Sequence, residues 1–289
     1  MHSDGAVLWE TAIDPFLPDT ARKARRIVLE ALHAHGGGHF GGCGSCIEIL
    51  LAIFGSRTLL CREGKGDHLL LSKGHASMSL YAILSLLGPV RLPLSEFGVF
   101  RSPLQGHPDR QHLPQLDFSF GSLGQGVAAG IGMALGSAAR GTHVWVVLGD
   151  GECQEGMVWE AAMLAARYNL SNLHVIVDTN GEQECGWAHD RQLEQCPIPN
   201  AVAKWDAFGW QSTEGDGHDT SFVASWARDV TRLSASRPSV LIANTSKRLA
   251  LSGLASRFRR HHTALHASEF ERMKTEIETS KVIAEERIL

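Results

Sequence analysis

Two short apolar runs, His143 to Leu148 and Leu173 to Asp178, flank the alanine-rich stretch Gly156 to Tyr168, and this arrangement constrains the fold more than any other feature of the chain. Apolar runs without polar alternation suit strands covered on both faces, and a helix-length segment between two of them is what a parallel crossover requires. The pattern continues on either side. Leu69 to Ser72 reads as a short strand, and residues 20–33, Ile47 to Phe54, Ser77 to Leu87 and Gly121 to Ala139 read as helices, the last rich in small residues that permit close packing. A glycine-dense loop is expected from Gly36 to Gly44. Weaker alternation follows through Ala201 to Trp210, Phe222 to Leu233 and the strand Ser239 to Asn244. The expected fold class is α/β, an open, mainly parallel sheet flanked by helices. Residues 1–265 read as one domain and residues 266–289 as a charged helical tail.

Composition narrows the function classes. With 289 residues, 44% hydrophobic and 20% charged, the chain can bury a large core, which excludes disorder. Its longest apolar stretches, Ile47 to Phe54 and Leu80 to Leu87, fall far short of the roughly 20 residues that cross a bilayer. Met1 to Asp19 has no basic segment followed by an apolar one, so the cytoplasm is the expected compartment. A net charge of -4 offers no general field for a polyanion, which points away from nucleic acid and toward small molecules or protein partners. Six cysteines without a secretory signal read as free thiols. Cys43-Gly44-Ser45-Cys46 has the spacing of a redox pair or half a zinc site, but no second pair follows at ligand spacing, and small residues packing the start of a helix are the expected reading.

In open α/β sheets ligands bind beyond the carboxyl ends of the strands, so the turns Gly149-Asp150-Gly151 and Asp178-Thr179-Asn180-Gly181 carry the expected chemistry. Glycines on both sides of Asp150 allow a sharp turn that brings N–H groups against a phosphate and leaves the carboxylate for a hard cation. Asn180 can add a neutral oxygen. Mg²⁺ takes about six oxygens, several of them from phosphate and water, so a bound diphosphate with Mg²⁺ is the expected ligand. The helix beginning near Glu155 and Gly156 adds its positive end.

These turns, with Glu155-Gly156 between them, resemble the thiamine diphosphate motif, and the likeness extends further. Gly38-His39-Phe40-Gly41-Gly42 is similar to the G-H-P-G-G stretch of transketolases. Leu71-Ser72-Lys73-Gly74-His75-Ala76-Ser77 through Leu80-Tyr81-Ala82 resembles their L-S-K-G-H-x-S-x-x-L-Y-A run. Gln105-Gly106-His107-Pro108-Asp109 and Gly121-Ser122-Leu123-Gly124-Gln125-Gly126 resemble their G-H-P and G-x-L-G-Q-G segments. The likeness covers roughly residues 20–250 and is to the N-terminal, diphosphate-binding subunit of a split transketolase.

The resemblance implies roles residue by residue. Asp150, Asn180 and the backbone carbonyl of Glu182 would hold Mg²⁺, although family members often carry an apolar residue where Glu182 stands. Gly151 would touch the diphosphate and the backbones of Gly121 and Leu123 the aminopyrimidine. Gly149 and Glu152 complete the expected cofactor-binding set. His39 would move protons at substrate hydroxyls, His75 would lie between diphosphate and substrate, and His107 would bind the hydroxyl of the transferred two-carbon unit. Each of these three of the 15 histidines follows a glycine. A fourth histidine would be His261 or its neighbour His262, with His261 taken first, although Lys247 to Phe258 departs from the usual Lys-Gly-Lys-Gly. Glu155 would join a carboxylate network reaching a partner.

The implied activity is transfer of a two-carbon ketol unit from a ketose donor to an acceptor with thiamine diphosphate and Mg²⁺. The family's pyrimidine-binding half is expected on a separate polypeptide, in a heterotetramer. Two rival expectations are delivery of the unit to a lipoyl or pantetheine carrier protein, and a non-catalytic scaffold. A scaffold would need none of Asp150, Asn180 and the three histidines.

Overall fold

The computed structural model describes residues 14–16, 18–56, 66–88, 91–183, 200–232, 236–248 and 262–279. Five parallel strands, β1 (His68–Leu71), β2 (Val144–Gly149), β3 (Leu173–Thr179), β4 (Gln211–Asp216) and β5 (Ser239–Asn244), lie in the spatial order β1-β2-β3-β5-β4. The expected α/β class, a mainly parallel sheet between helices, is the observed one. Register sets Gly149 opposite Asp178 and Thr179 opposite Asn244, so the polar turns after β2, β3 and β5 emerge side by side at one edge.

The helices are α1 (Pro18–Ala34), α2 (Phe40–Gly44), α3 (Ile47–Ser56), α4 (Ser77–Leu87), α5 (Gln125–Ser137), α6 (Gly156–Arg167), α7 (Ala201–Ala207), α8 (Thr220–Arg232) and α9 (Ala267–Thr279). They divide between the two faces of the sheet. Trp145 and Val147 of β2, Ile176 of β3 and Leu241 and Ala243 of β5 share one core with α1, α3, α4 and α8. Val144, Val146 and Leu148 point the other way, joining Val175, Val177, Val240 and Ile242 against α5, α6 and α7. Two covered faces are why the middle of each of these strands is an unbroken apolar run, Val144 to Leu148, Val175 to Val177 and Val240 to Ala243. Residues 266–289, expected as a tail, are helical over Ala267–Thr279, and Met273 and Ile277 are buried in the first core.

Three local features depart from the sequence expectation. The polar segment Gln211–Asp216 forms β4, which has no apolar alternation to mark it and, among the described residues, sits at the sheet edge paired to β5. The glycine-dense loop contains the turn of helix α2. Helix α5 starts at Gln125 rather than Gly121, because Gly124 takes a left-handed φ of 80° where a Cβ would lie 2.7 Å from that of Glu155. Residues 121–124 are thereby left as a loop beside the sheet edge. Cys43 and Cys46 are buried free thiols packed in the core, and burial pushes both up, Cys46 to about 12, which suits packing rather than redox exchange. Among the described residues no helix is long and apolar enough to cross a membrane.

Candidate active site

The turn after β2 is organised by Asp150. Its Oδ1 accepts the Gly151 N–H at 2.8 Å and its Oδ2 the Gly181 N–H at 2.9 Å, which locks the β2 turn to the β3 turn. Asn180 Oδ1 accepts the Glu182 N–H at 3.1 Å, and the Glu182 carbonyl accepts the ammonium of Lys247. Asp150, Asn180 and the Glu182 carbonyl thus lie on two joined turns, and all are hard oxygen donors of the kind Mg²⁺ prefers. Burial pushes the Asp150 carboxyl above its ordinary range, and the neighbouring Asp178 adds to it, so a cation here would relieve the charge. A carbonyl oxygen has two lone pairs, so Lys247 does not exhaust the Glu182 group. Among the described residues no cluster of three His, Cys, Asp or Glu side chains could hold a metal. The expected set is of another kind, with a single carboxylate.

Two glycine amides of this turn have partners within it: the Gly149 N–H donates to Glu152 at 3.2 Å and the Gly151 N–H to Asp150. Glu152, expected among the cofactor-binding residues, faces inward. Its buried carboxylate accepts the Ser72 hydroxyl and the N–H groups of Gly124, at 2.9 Å, and Gly149. A buried acid needs such donors, and Glu152 uses them to tie the end of β1, the start of α5 and the end of β2 together.

Sequence reasoning missed the cations. Lys73 is buried against Asp178, whose other contacts are the hydroxyls of Ser45, at 2.6 Å, and Thr245. Burial opposes ionisation of Asp178, but Lys73 and the two hydroxyls outweigh it and hold the carboxyl below its ordinary range. Lys73 lies inside the Leu-Ser-Lys-Gly-His run and Asp178 opens Asp-Thr-Asn, so both were visible in the motifs without a role. Arg248 donates to Glu182 Oε1 at 2.6 and 3.0 Å, which compensates that carboxylate.

The histidines come together from distant parts of the chain. The rings of His39 and His75 are 5.2 Å apart, and His262 stands edge-on to His39 at 5.2 Å. His262 is placed by paired bonds between Gly38 and Thr263, at 2.9 and 3.0 Å. His261 lies outside the described residues, so its neighbour is the histidine seen against His39. Glycines make the approach possible, since a Cβ at Gly42 would lie 2.9 Å from His75 Nε2 and one at Gly74 3.1 Å from His107 Cδ2. His107 is exposed and lies beside Gly121, while Gly121, Leu123 and Glu155 are all open to solvent. Three expected histidines and the loop 121–124 therefore border one region next to the Asp150 turn.

Comparison with known proteins agrees with this arrangement. The family described as the transketolase thiamine diphosphate binding domain matches residues 18–282. The chain is 32% identical over 273 residues to the 6-deoxy-6-sulfo-D-fructose transketolase subunit SqwG of Clostridium sp. (strain MSTE9), covering 91% of this chain and 96% of that protein. It is 30% identical to one of the subunits of the apulose-4-phosphate transketolase of Phocaeicola vulgatus, covering 89% of this chain and 92% of the other. Transketolase from Campylobacter jejuni superposes with a TM-score of 0.78 at 25% identity, over 92% of this chain and 43% of the other. The match spans the histidine loops, the Asp150 turn and the sheet that carries them, and the chain belongs to the family of transketolase thiamine diphosphate-binding domains.

Proposed function

We propose that this chain is the diphosphate-binding subunit of a split transketolase, which moves a two-carbon ketol unit from a ketose to an acceptor with thiamine diphosphate and Mg²⁺. The observation that carries the reading is the convergence of His39, His75, His107 and His262 beside the joined turns of Asp150 and Asn180. When bound, thiamine diphosphate supplies the electron sink for breaking and forming the carbon–carbon bond. Asp150, Asn180 and the Glu182 carbonyl would hold the cation, with Lys247 beside them to meet diphosphate oxygens. His39 and His262, in contact, would take and return protons at substrate hydroxyls, because imidazole both gives and accepts near neutrality. His75, 5.2 Å from the His39 ring, would orient the reacting end of the substrate. Exposed His107 would bind the hydroxyl of the transferred unit.

A separate pyrimidine-binding subunit completes the site in this reading, and two similar proteins of matching length are themselves named as transketolase subunits. The face made by α5 and α6 suits such a partner. Leu123, Leu135, Met157 and Leu164 are exposed there, and Gly132 and Gly136 have open space where a side chain would stand. Small residues let another backbone approach closely, and an apolar patch of this kind marks an interface. Glu155 lies at its rim. Co-expression with a pyrimidine-binding subunit, followed by size analysis and assay with a ketose donor, tests the reading. A two-plus-two complex with ketol transfer is expected, and turnover by the chain alone would refute it.

A further inference from the structure

A line of hydrogen bonds runs from the core helices to the turn after β5, through residues that no motif singled out. Arg25 of α1 donates to both carboxylate oxygens of Glu48 in α3, at 2.5 and 2.8 Å. Glu48 Oε2 meets His218 Nδ1 at 3.0 Å, and His218 Nε2 accepts the backbone N–H of Ser246 at 2.8 Å. Because Nε2 accepts from the Ser246 N–H, the ring's hydrogen lies on Nδ1 toward Glu48. Arg25 and Glu48 are buried, which makes this end of the line rigid.

Ser246 sits between two residues that reach the candidate site. Thr245 donates its hydroxyl to Asp178, and Lys247 donates its ammonium to the Glu182 carbonyl. The Thr245 N–H bonds to the Thr179 carbonyl at 3.1 Å. Beyond it, among the described residues, the turn's backbone is tied to another element through His218. Gly217 lets the two segments touch, since a Cβ there would lie 2.5 Å from Thr245 Cγ2.

We propose that His218 is a positioning residue, which holds the Ser246 amide and so sets where Thr245 and Lys247 meet Asp178 and Glu182. Its effect on cofactor binding rests on the reading of these turns as the cofactor site. Its effect on the turn does not. The test uses the full chain with His218→Leu, which keeps bulk without ring nitrogens, and His218→Gln, which can again accept from Ser246 and donate to Glu48. Hydrogen exchange should be at least tenfold faster at Ser246 in the leucine variant, with the β5 amides Val240 to Ala243 unchanged, and glutamine should restore protection. Titration of the complex with the pyrimidine-binding subunit with thiamine diphosphate and Mg²⁺ should show Kd raised at least fivefold by leucine and recovered by glutamine. A leucine variant that does not fold, that loosens β5 as much as the turn, or that leaves Ser246 protected overturns the proposal. So does a loosened turn with unchanged Kd. A wild-type complex that binds no cofactor counts against the cofactor reading, and the exchange data then decide the role of His218 in the turn.

Discussion

The ammonium of Lys73 and the carboxylate of Asp178 touch in the interior, their side chains 1% and 0% exposed. Lys73 follows β1 and Asp178 ends the apolar run of β3, so the pair bridges the carboxyl ends of strands on either side of β2. Lys73 also donates to the Gly42 carbonyl at 2.9 Å, which draws the α2 loop to the same point. Removing Lys73 leaves Asp178 a buried charge with only the hydroxyls of Ser45 and Thr245 to meet it. Lys73→Met should therefore lower the unfolding free energy by about 3–5 kcal/mol in urea titration, and a loss below about 1 kcal/mol would show the pair to be dispensable.

Asp150 stands in the opposite position energetically. Burial and Asp178 disfavour its ionised form, so its charge contributes little to folding. Asp150→Ala should abolish binding of thiamine diphosphate with Mg²⁺ in the assembled complex while leaving the melting temperature within a few degrees of wild type. Undiminished binding by calorimetry would sink the metal assignment.

His107 is exposed in a loop, and its truncation opens no core cavity. His107→Ala in the assembled enzyme should reduce turnover at least tenfold with little change in melting. A large melting shift with near-normal turnover would make it a packing residue.

Glu48 governs the acid limb of stability. Burial alone would raise its pKa, but Arg25 and His218 outweigh burial and take it from the ordinary 4.5 to about 2. A folded pKa below the unfolded one stabilises the protein above about pH 4.5, and that stabilisation is lost as the pH falls toward 2. The shift corresponds to about 3 kcal/mol, of which about 2 kcal/mol is gone by pH 3. The fall in stability between pH 5 and pH 3 should be smaller by about 2 kcal/mol in Glu48→Gln, and an equal fall in both proteins would contradict the linkage.

The α5–α6 face should be sensitive to charge. Leu135 is 48% exposed there and contributes nothing to the core, so Leu135→Glu should leave melting unchanged. Association with the pyrimidine-binding subunit should weaken at least tenfold, read by sedimentation. Unaltered association would move the interface elsewhere.

The sequence by itself determined the βαβ unit, the parallel class and the polar, glycine-bounded turns at the ends of β2 and β3. Those features follow from local periodicity and from glycine-bounded turns, which neighbouring residues alone control. The three glycine-linked histidines and the Asp150 turn were legible for the same reason, because each lies in a short, distinctive run. Edge strand β4 was not, since Gln211–Asp216 has no apolar pattern and is held by backbone bonds to β5. Tertiary structure alone decided that Glu152 turns inward to Ser72, that Lys73 meets Asp178 and that Lys247 reaches the Glu182 carbonyl. It also brought His262 to His39, more than two hundred positions apart, through the paired bonds of Gly38 and Thr263. Such contacts join residues far apart in the chain, and a buried charge or ring finds its partner only once the sheet and its covering helices have set the distances between them.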